Sequence, residues 1–241
     1  MIRVVIVGGD QPRSSNLIQG LLDSGLFQIE IQRRINESDL SHEDFLSSTS
    51  LNYYGRELSV SEKCCSLAHR LAQEKLRQSG GIILEDDAVV LDYEALARFT
   101  LEVLTSKQSV LVNFSTTSCA EDIAWIQKRN YFIRTWGPTP LAVGYAASKS
   151  GIQQLINSNT PLKYVADWPP TKSKDFRLKY PIIAHGHRST LSLIDASSSR
   201  AQLSLKQLVL AFNCNAANNR IKSKIRFEFT NFLLFARGAK S

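Results

Sequence analysis

Short apolar segments alternate with amphipathic segments along about the first 115 residues, and this alternation constrains the fold more than any other feature. The apolar run 2–7 (IRVVIV) is typical of a central strand in an α/β sheet. Residues 16–22 have helical spacing, and residues 27–31 alternate as a second strand. The order therefore predicts an α/β fold in which a mostly parallel central sheet is flanked by helices.

A longer helix is predicted after Ser59 or Ser61, either of which can accept a capping hydrogen bond, and Gly80 with Gly81 ends it. Residues 36–56 are polar and predict an irregular segment. Further strands are predicted over 82–84, 110–114, 131–136 and 142–147, and further helices over 93–104 and 149–157.

Composition excludes several classes of protein. The 241 residues suffice for one large domain, and 43% hydrophobic with 21% charged residues is a normal globular balance. No apolar run approaches the roughly 20 residues of a membrane span. The N-terminal apolar run is too short for a signal peptide.

The four cysteines have no CxxC spacing, so they suggest neither zinc nor a disulfide framework. Reduced thiols predict a cytoplasmic protein.

The chain is basic, with a net charge of +7 and an isoelectric point near 9.3. This balance predicts attraction to polyanions, but it does not choose among nucleotides, phosphorylated lipids, an anionic membrane face and nucleic acid. From residue 213 onward, basic residues alternate with Ile, Leu and Phe. The alternation favours a final helix or strand over 213–241 that packs on the domain. The alternative is a basic amphipathic segment that contacts an anionic membrane surface.

Three consecutive carboxylates, Glu85, Asp86 and Asp87, follow the predicted strand 82–84. In open α/β sheets, ligands bind outside the carboxyl ends of the strands, which is where these acids lie. Like charges this close repel, and a divalent cation is the usual partner that offsets the repulsion. Alternation places Glu85 and Asp87 on one side and Asp86 on the other. Oxygen ligands suit Mg²⁺ or Mn²⁺ bridged to phosphate oxygens, so the acids predict a metal–diphosphate site; the alternative is an exposed acidic turn.

Three segments lie in order within residues 60–170: SEKCCSLAHRLAQEKL, ILEDDA and VGYAASKSGIQQLI. Together they resemble glycosyltransferase family 25, which includes bacterial lipooligosaccharide galactosyltransferases. The first matches a family segment close to GEIGCALSH at Glu62, Cys65, Leu67 and His69, and the second resembles the acidic motif of the family. The third matches a family pattern at Tyr145, Ser148, Lys149, Gly151 and Leu155, and Pro161 and Asp167 follow where the family has a Pro and an Asp.

The resemblance implies a GT-A-like glycosyltransferase domain over residues 1–212, ahead of the basic segment 213–241. It implies transfer of a sugar, galactose before any other, from a UDP-sugar donor to a cell-surface glycan or glycolipid such as lipopolysaccharide. No specific nucleic-acid partner is expected.

The resemblance also implies a Mn²⁺ or Mg²⁺ ion, which would neutralise charge on the departing diphosphate. Asp87 would ligate this ion, and Glu85 would ligate it or bind the ribose. A late histidine completes the metal shell in some GT-A enzymes, and His185 or His187 could do so here, with His185 the first candidate.

The remaining site residues are assigned in the same way. Arg13 is the first choice for a diphosphate clamp, and His69 is expected in the wall of the site because its helix leads into the acidic strand. Asp86 is assigned with them to the nucleotide-sugar site. For an inverting transfer, Asp167 beside Trp168 is the candidate base for the acceptor hydroxyl; the alternative is a structural turn.

Three other classes of protein are alternatives to a glycosyltransferase. A nucleotide-dependent oxidoreductase is less favoured, because the segment VGGD after the first strand lacks a GxGxxG motif. A non-catalytic sugar- or nucleotide-binding module on a decayed transferase fold would be favoured by loss of a metal acid, and all three are present. Nucleic-acid binding has no supporting module, and the basic residues are spread out.

Overall fold

A computed structural model of the chain describes residues 1–42, 58–115, 132–135, 143–162, 164–166, 174–178 and 182–186. The helices in these ranges are α1 (Ser15–Asp23), α2 (Val60–Leu76), α3 (Tyr93–Leu104) and α4 (Lys149–Ser158). The strands there are β1 (Ile2–Val7), β2 (Phe27–Gln32), β3 (Gly81–Glu85), β4 (Ala88–Val90), β5 (Val110–Asn113), β6 (Phe132–Thr135), β7 (Gly144–Ala147), β8 (Lys174–Leu178) and β9 (Ile183–His185).

Three of the described helices, α2, α3 and α4, begin at residues whose side chains cap them. The Ser59 side chain accepts a hydrogen bond from the Glu62 amide, and the Glu62 carboxylate accepts one from the Ser59 amide. This reciprocal pair satisfies two amides that the helix itself leaves without partners, so α2 starts at residue 60. Asp92 caps α3 by accepting a hydrogen bond from the Ala95 amide, and Ser148 caps α4 by accepting one from the Gly151 amide. The predicted positions of all four helices are confirmed.

Seven strands form the central sheet in the order β2-β1-β3-β7-β5-β8-β6. β1 pairs in parallel with β2 and β3, and β5 pairs in parallel with β8. β7 runs antiparallel between β3 and β5, and β6 runs antiparallel to β8. The fold is therefore α/β with a mixed sheet in which five strands share one direction. The prediction of a mostly parallel sheet did not include the two reversed strands.

Helices cover both faces of this sheet, as predicted. Alternate residues of β3 point to opposite faces, so Ile82 and Leu84 belong to one core cluster and Ile83 to the other. The first cluster includes Leu17 and Leu21 of α1 with Leu96, Phe99 and Val103 of α3. The second includes Leu67, Ala72 and Leu76 of α2 with Ile152, Leu155 and Ile156 of α4. Burial on both faces explains why residues 4–7 of β1 and 82–84 of β3 are continuous apolar runs.

A second, two-stranded sheet follows the acids directly. β4 and β9 pair antiparallel, with Ala88 opposite His185 and Val90 opposite Ile183. A parallel bridge between Ser115 and Ile183 ties this small sheet to the end of β5. The pairing carries a distant part of the chain to the carboxyl end of β3.

Several predictions fall on residues outside the described ranges: Asp167, Trp168, His187, and the segment 213–241 with its boundary at residue 212. Of the predicted irregular segment 36–56, the described part contains a 3₁₀ turn at Glu37–Asp39. Cys64 and Cys65, the two cysteines in the described part, form no disulfide there. None of the described helices has the length and apolarity that crossing a bilayer requires.

Candidate functional site

The carboxyl ends of β1 and β3 meet at one edge of the sheet. These strands are parallel neighbours, and Val7 at the end of β1 lies opposite Glu85 at the end of β3. The loop that carries Arg13 leaves β1 at this edge, and Asp86 and Asp87 form the turn between β3 and β4. Because parallel strands end at the same edge, residues far apart in sequence come together here.

Arg13 holds Asp86 through two parallel hydrogen bonds. The Arg13 Nε donates to Oδ2 and Nη2 donates to Oδ1, each at 2.5 Å, and the Asp86 residue is only 5% exposed. Burial raises the pKa of Asp86 above its usual range, and the Arg13 hydrogen bonds oppose this only in part. The hydrogen bonds to Asp86 raise the pKa of Arg13.

Gly8 lets the backbone approach this pair. Its φ of +74° lies in the left-handed region, and a Cβ at this position would lie 2.9 Å from the Asp86 Oδ2. Only a residue without a side chain satisfies both conditions at once. The glycine directly after β1, Gly8, is therefore explained by the position of Asp86.

Glu85 is paired with His69 on its other side. The His69 Nε2 lies 3.1 Å from the Glu85 Oε1, and the His69 side chain is 2% exposed. Burial acts to raise the pKa of Glu85, but the hydrogen bond to His69 and the charges of His69, His185 and Arg13 outweigh it, and the pKa is lowered. Glu85 is therefore a carboxylate at neutral pH.

Tyr145 and Gln73 fix the orientation of the His69 ring. The His69 Nδ1 lies 3.2 Å from the Tyr145 hydroxyl, which also accepts a hydrogen bond of 3.1 Å from the Gln73 Nε2. The two rings stack, with centroids 5.9 Å apart and planes 16° apart. If the phenol proton is directed at Nδ1, Nε2 carries its own proton and donates it to Glu85. The chain of bonds then runs from Gln73 to the Glu85 carboxylate.

Asp87 has a different environment from its two neighbours. Its Oδ2 lies 3.4 Å from the His185 Nε2, and its Oδ1 is buried with no hydrogen-bond partner among the described residues. Burial raises the pKa of Asp87, and the negative charge of Glu85 raises it further. The Gly186 amide donates to the Asp87 carbonyl at 2.8 Å, so the β4–β9 pairing positions this carboxylate.

The donor set around Asp87 fits a hard divalent cation. A buried carboxylate oxygen without a partner is costly, and a cation would supply the missing interaction. Arg13 offsets the charge of Asp86 but not the charges of both flanking acids, Glu85 and Asp87. These two carboxylates and the His185 imidazole are oxygen and nitrogen ligands of the kind that Mn²⁺ accepts.

The structure gathers six of the predicted site residues at this edge: Arg13, His69, Glu85, Asp86, Asp87 and His185. The predicted base, Asp167, and the alternative ligand, His187, lie outside the described residues. The pairing of Arg13 with a diphosphate stays a prediction, and the structure adds that its guanidinium binds Asp86.

Three residues of the site were not predicted from the sequence: Gln73, Tyr145 and the backbone of Gly8. A signal for Gln73 existed, because it lies four residues after His69 and therefore on the same helix face. Tyr145 belongs to the third segment that resembles the family, but its contact with His69 depends on the antiparallel register of β7 on β3.

The fold and this cluster of acids define an α/β protein with a candidate metal- and phosphate-binding edge. The chain belongs to glycosyltransferase family 25 (LPS biosynthesis protein), whose family model matches residues 27–168. This match confirms the predicted resemblance, and it identifies the chain as a glycosyltransferase that uses a sugar donor and a glycan acceptor. The matched range contains His69 and the three acids, whereas Arg13 and His185 lie outside it. No individual curated protein matches the chain significantly.

Proposed function

We propose that the protein is a metal-dependent, GT-A-like glycosyltransferase that moves galactose from UDP-galactose to a bacterial glycan such as lipopolysaccharide. The observation that carries this proposal is the buried Asp87 Oδ1, which has no partner among the described residues, beside His185 at the strand edge where α/β proteins bind ligands. Family membership supplies the reaction class, and the acidic edge supplies a place for the donor.

In this proposal Asp87, Glu85 and His185 hold Mn²⁺ or Mg²⁺. When bound, the ion supplies charge neutralisation for the diphosphate that leaves the sugar. The repulsion between Asp87 and Glu85, which contributes to the raised pKa of Asp87, would be relieved by the same ion. Glu85 can instead accept a hydrogen bond from the ribose.

Arg13 and His69 complete the donor site on either side of the acids. The Arg13 side chain is 42% exposed while two of its nitrogens bind Asp86, so its outer edge remains accessible to a diphosphate. Bidentate binding to Asp86 restricts the guanidinium, and a restricted donor loses less entropy when a phosphate binds. His69 forms the wall through its bond to Glu85.

The transfer step is proposed to invert the anomeric carbon. The acceptor hydroxyl oxygen forms a bond to that carbon while the carbon–oxygen bond to the diphosphate breaks, and its electron pair leaves with UDP. The hydroxyl proton passes to a carboxylate base, for which Asp167 remains the candidate. NMR of the product decides this point: a retained anomeric configuration, or full activity in Asp167→Asn, would remove Asp167 from this role.

The donor site is tested by calorimetric titration of UDP with Mn²⁺ and with EDTA, and by UDP-galactose hydrolysis. We expect wild type to bind UDP only with the metal, and Asp87→Asn to lose roughly 100-fold in activity, as for other lost charge-stabilising groups. The matched control is Asp23→Asn, an exposed carboxylate on α1, which should behave as wild type. If folded wild type ignores UDP and metal alike, the chain is a binding module on a transferase fold and the proposal fails.

The acceptor is proposed to be lipid-linked and to be reached at the cytoplasmic face of the membrane, with segment 213–241 in contact with anionic lipid. Sedimentation with vesicles of phosphatidylglycerol and phosphatidylcholine tests this directly. Binding should require the anionic lipid, should weaken with salt, and should be lost when basic residues of the segment are changed to Gln. Equal binding to neutral vesicles would contradict the electrostatic contact.

A further inference from the structure

A sulfur, a nitrogen and an oxygen ligand meet behind the acidic edge. Cys65 and His69 are four residues apart on α2 and therefore lie on one face of that helix. This face reaches the end of β3, where Glu85 is located. The Cys65 Sγ, a His69 ring nitrogen and a Glu85 carboxylate oxygen all lie within 4.8 Å of one another. We propose that Cys65, His69 and Glu85 bind a thiophilic divalent cation such as Zn²⁺.

The ligand types distinguish this site from the one proposed at Asp87. Thiolate, imidazole and carboxylate together suit Zn²⁺, whereas Mg²⁺ and Mn²⁺ favour oxygen ligands. Three protein ligands leave a fourth tetrahedral position for water or another ligand. The sequence lacks the CxxC spacing of common zinc motifs, and the pair here is instead Cys-x₃-His on a helix, joined by a carboxylate from a strand.

The surroundings of His69 support metal binding. Ligating histidines usually hold their second ring nitrogen in a hydrogen bond, which fixes the ring and raises its basicity as a ligand. Here the Tyr145 hydroxyl lies 3.2 Å from the His69 Nδ1, and Gln73 in turn donates to Tyr145. For Nε2 to bind the cation, Nδ1 carries the proton and donates it to the Tyr145 oxygen. The Nε2 atom already faces the Glu85 carboxylate at 3.1 Å, close to a ligand–ligand distance around one ion.

The group is also accessible from one side. His69 is buried at 2% exposure, whereas the Glu85 side chain is 24% exposed and Cys65 is half-buried. An ion can therefore enter past Glu85 and Cys65 without unfolding α2. Because Glu85 also belongs to the proposed donor site, Zn²⁺ bound here would withdraw that carboxylate from the donor and lower transferase activity.

Cobalt titration of the full-length protein under a phosphine reductant tests the site. A bond between Co²⁺ and a thiolate gives an intense near-ultraviolet charge-transfer band, which oxygen ligands at Asp87 do not give. We expect the band in wild type, its loss on addition of Zn²⁺, and its loss in Cys65→Ser. Cys64→Ser is the matched control and should keep the band. Absence of the band from folded wild type, or its persistence in Cys65→Ser, overturns the proposal.

Two further measurements keep the test decisive if Cys65→Ser folds poorly. In wild type, Zn²⁺ should protect Cys65 but not Cys64 from iodoacetamide, as read by mass spectrometry; equal labelling of both contradicts the site. Tyr145→Phe should weaken Co²⁺ affinity roughly 10- to 100-fold while keeping the band, as expected for loss of a supporting hydrogen bond. Unchanged affinity in Tyr145→Phe counts against the proposal.

The zinc site and the proposed donor site share Glu85, but zinc binding and transferase activity are tested by separate measurements. Asp87→Asn removes a ligand of the donor site and should leave the thiolate band intact. A protein that shows the band but no metal-dependent UDP binding would support the zinc site and contradict the proposed function. A protein that shows metal-dependent UDP binding but no thiolate band would support the proposed function and contradict the zinc site.

Discussion

Two bidentate Arg–Asp pairs in this molecule have the same chemistry and opposite effects on their carboxyl groups. Arg13 binds both oxygens of Asp86 at the candidate site, and Arg33 binds both oxygens of Asp39 in a surface turn. The pKa of Asp86 is raised because burial opposes its charge, despite the arginine. The pKa of Asp39 is lowered to about 2, because the Arg33 hydrogen bonds and the Asn36 amide act on a partly exposed group that keeps contact with water.

Because the partner is the same in both pairs, the difference in the direction of the pKa shift comes from desolvation. At the surface, the charged form of Asp39 keeps its water and gains Arg33, so the pair simply clamps the turn. At the strand edge, Asp86 loses its water, and the attraction of Arg13 only partly offsets the loss. A buried pair of this kind is weak evidence for stability. Its value here is that it positions Arg13 and Asp86 at the proposed donor site.

The largest expected effect follows from closing the space that Gly8 leaves for Asp86. In Gly8→Ala, the left-handed backbone costs about 1–2 kcal/mol. The new Cβ, 2.9 Å from the Asp86 Oδ2, also displaces that carboxylate from Arg13, at about 1–3 kcal/mol for a buried acceptor. We expect a total loss of about 2–5 kcal/mol in the free energy of unfolding, measured by urea denaturation.

The matched control for this change is Gly25→Ala. Gly25 has a similar φ of +65°, but a Cβ there would meet nothing within 4 Å, so only the backbone cost applies. The difference between the two variants therefore reports the contact with Asp86. Equal losses of stability in Gly8→Ala and Gly25→Ala would show that Asp86 can move away from the new Cβ without a cost in free energy.

A smaller loss is expected when the buried pair loses its cation. In Arg13→Met, the Asp86 carboxyl remains buried without its two donors, which costs about 1–3 kcal/mol. The same change at the exposed pair, Arg33→Met, should alter the urea midpoint little, because water replaces the arginine. UDP binding should fall in Arg13→Met and stay unchanged in Arg33→Met. If the free energy of unfolding falls equally in Arg13→Met and Arg33→Met, the burial of Asp86 does not make its pair contribute more to stability than the surface pair.

Most of the fold was predictable because its signals are local. The cap at Ser59 and the apolar stripe of α2, and the bounds of Tyr93–Leu104, depend on residues within a few turns of one another. The direction of β7 was not predictable, because the four buried residues GYAA fit a strand of either direction. The pairing of β4 with β9 was also missed, since three-residue strands separated by more than 90 residues carry no local sign of pairing.

The candidate site was predictable in its residue types but not in its contacts. The three acids at a strand end predicted a metal site, which stays a prediction, and the helix before them placed His69 near this edge. The sequence could not assign Asp86 to Arg13, because that contact depends on the β1–β3 register and on the space at Gly8. It also gave no physical reason for naming His185 first, whereas the register of β9 places His185 beside Asp87.

The smallest expected effect concerns the exposed pair, and it is visible in titration rather than in global stability. In Arg33→Met, the pKa of Asp39 should rise from about 2 toward, but not to, the ordinary 3.8, since the Asn36 amide still binds the carboxylate. Carboxyl ¹³C NMR against pH measures this shift, with Asp39→Asn to assign the resonance. An unchanged pKa would mean that the Asn36 amide alone lowers it.

The sign of the pH dependence follows from the same shift. Because the folded-state pKa of Asp39 lies below 3.8, the contribution of the pair to stability is present in full above about pH 3.8. It is lost as the pH falls through about 2, where the folded carboxyl also takes up its proton. Arg33→Met should therefore make the free energy of unfolding fall slightly less steeply as the pH decreases below about 3.8.

Salt gives a second test of the same pair. Because the pair lies at the surface, 1 M salt should reduce the difference in stability between wild type and Arg33→Met, since the screening length falls to about 3 Å. If the stability difference between wild type and Arg33→Met persists at high salt, the Arg33–Asp39 pair is shielded from solvent. The two Arg–Asp pairs would then differ less in their exposure to water.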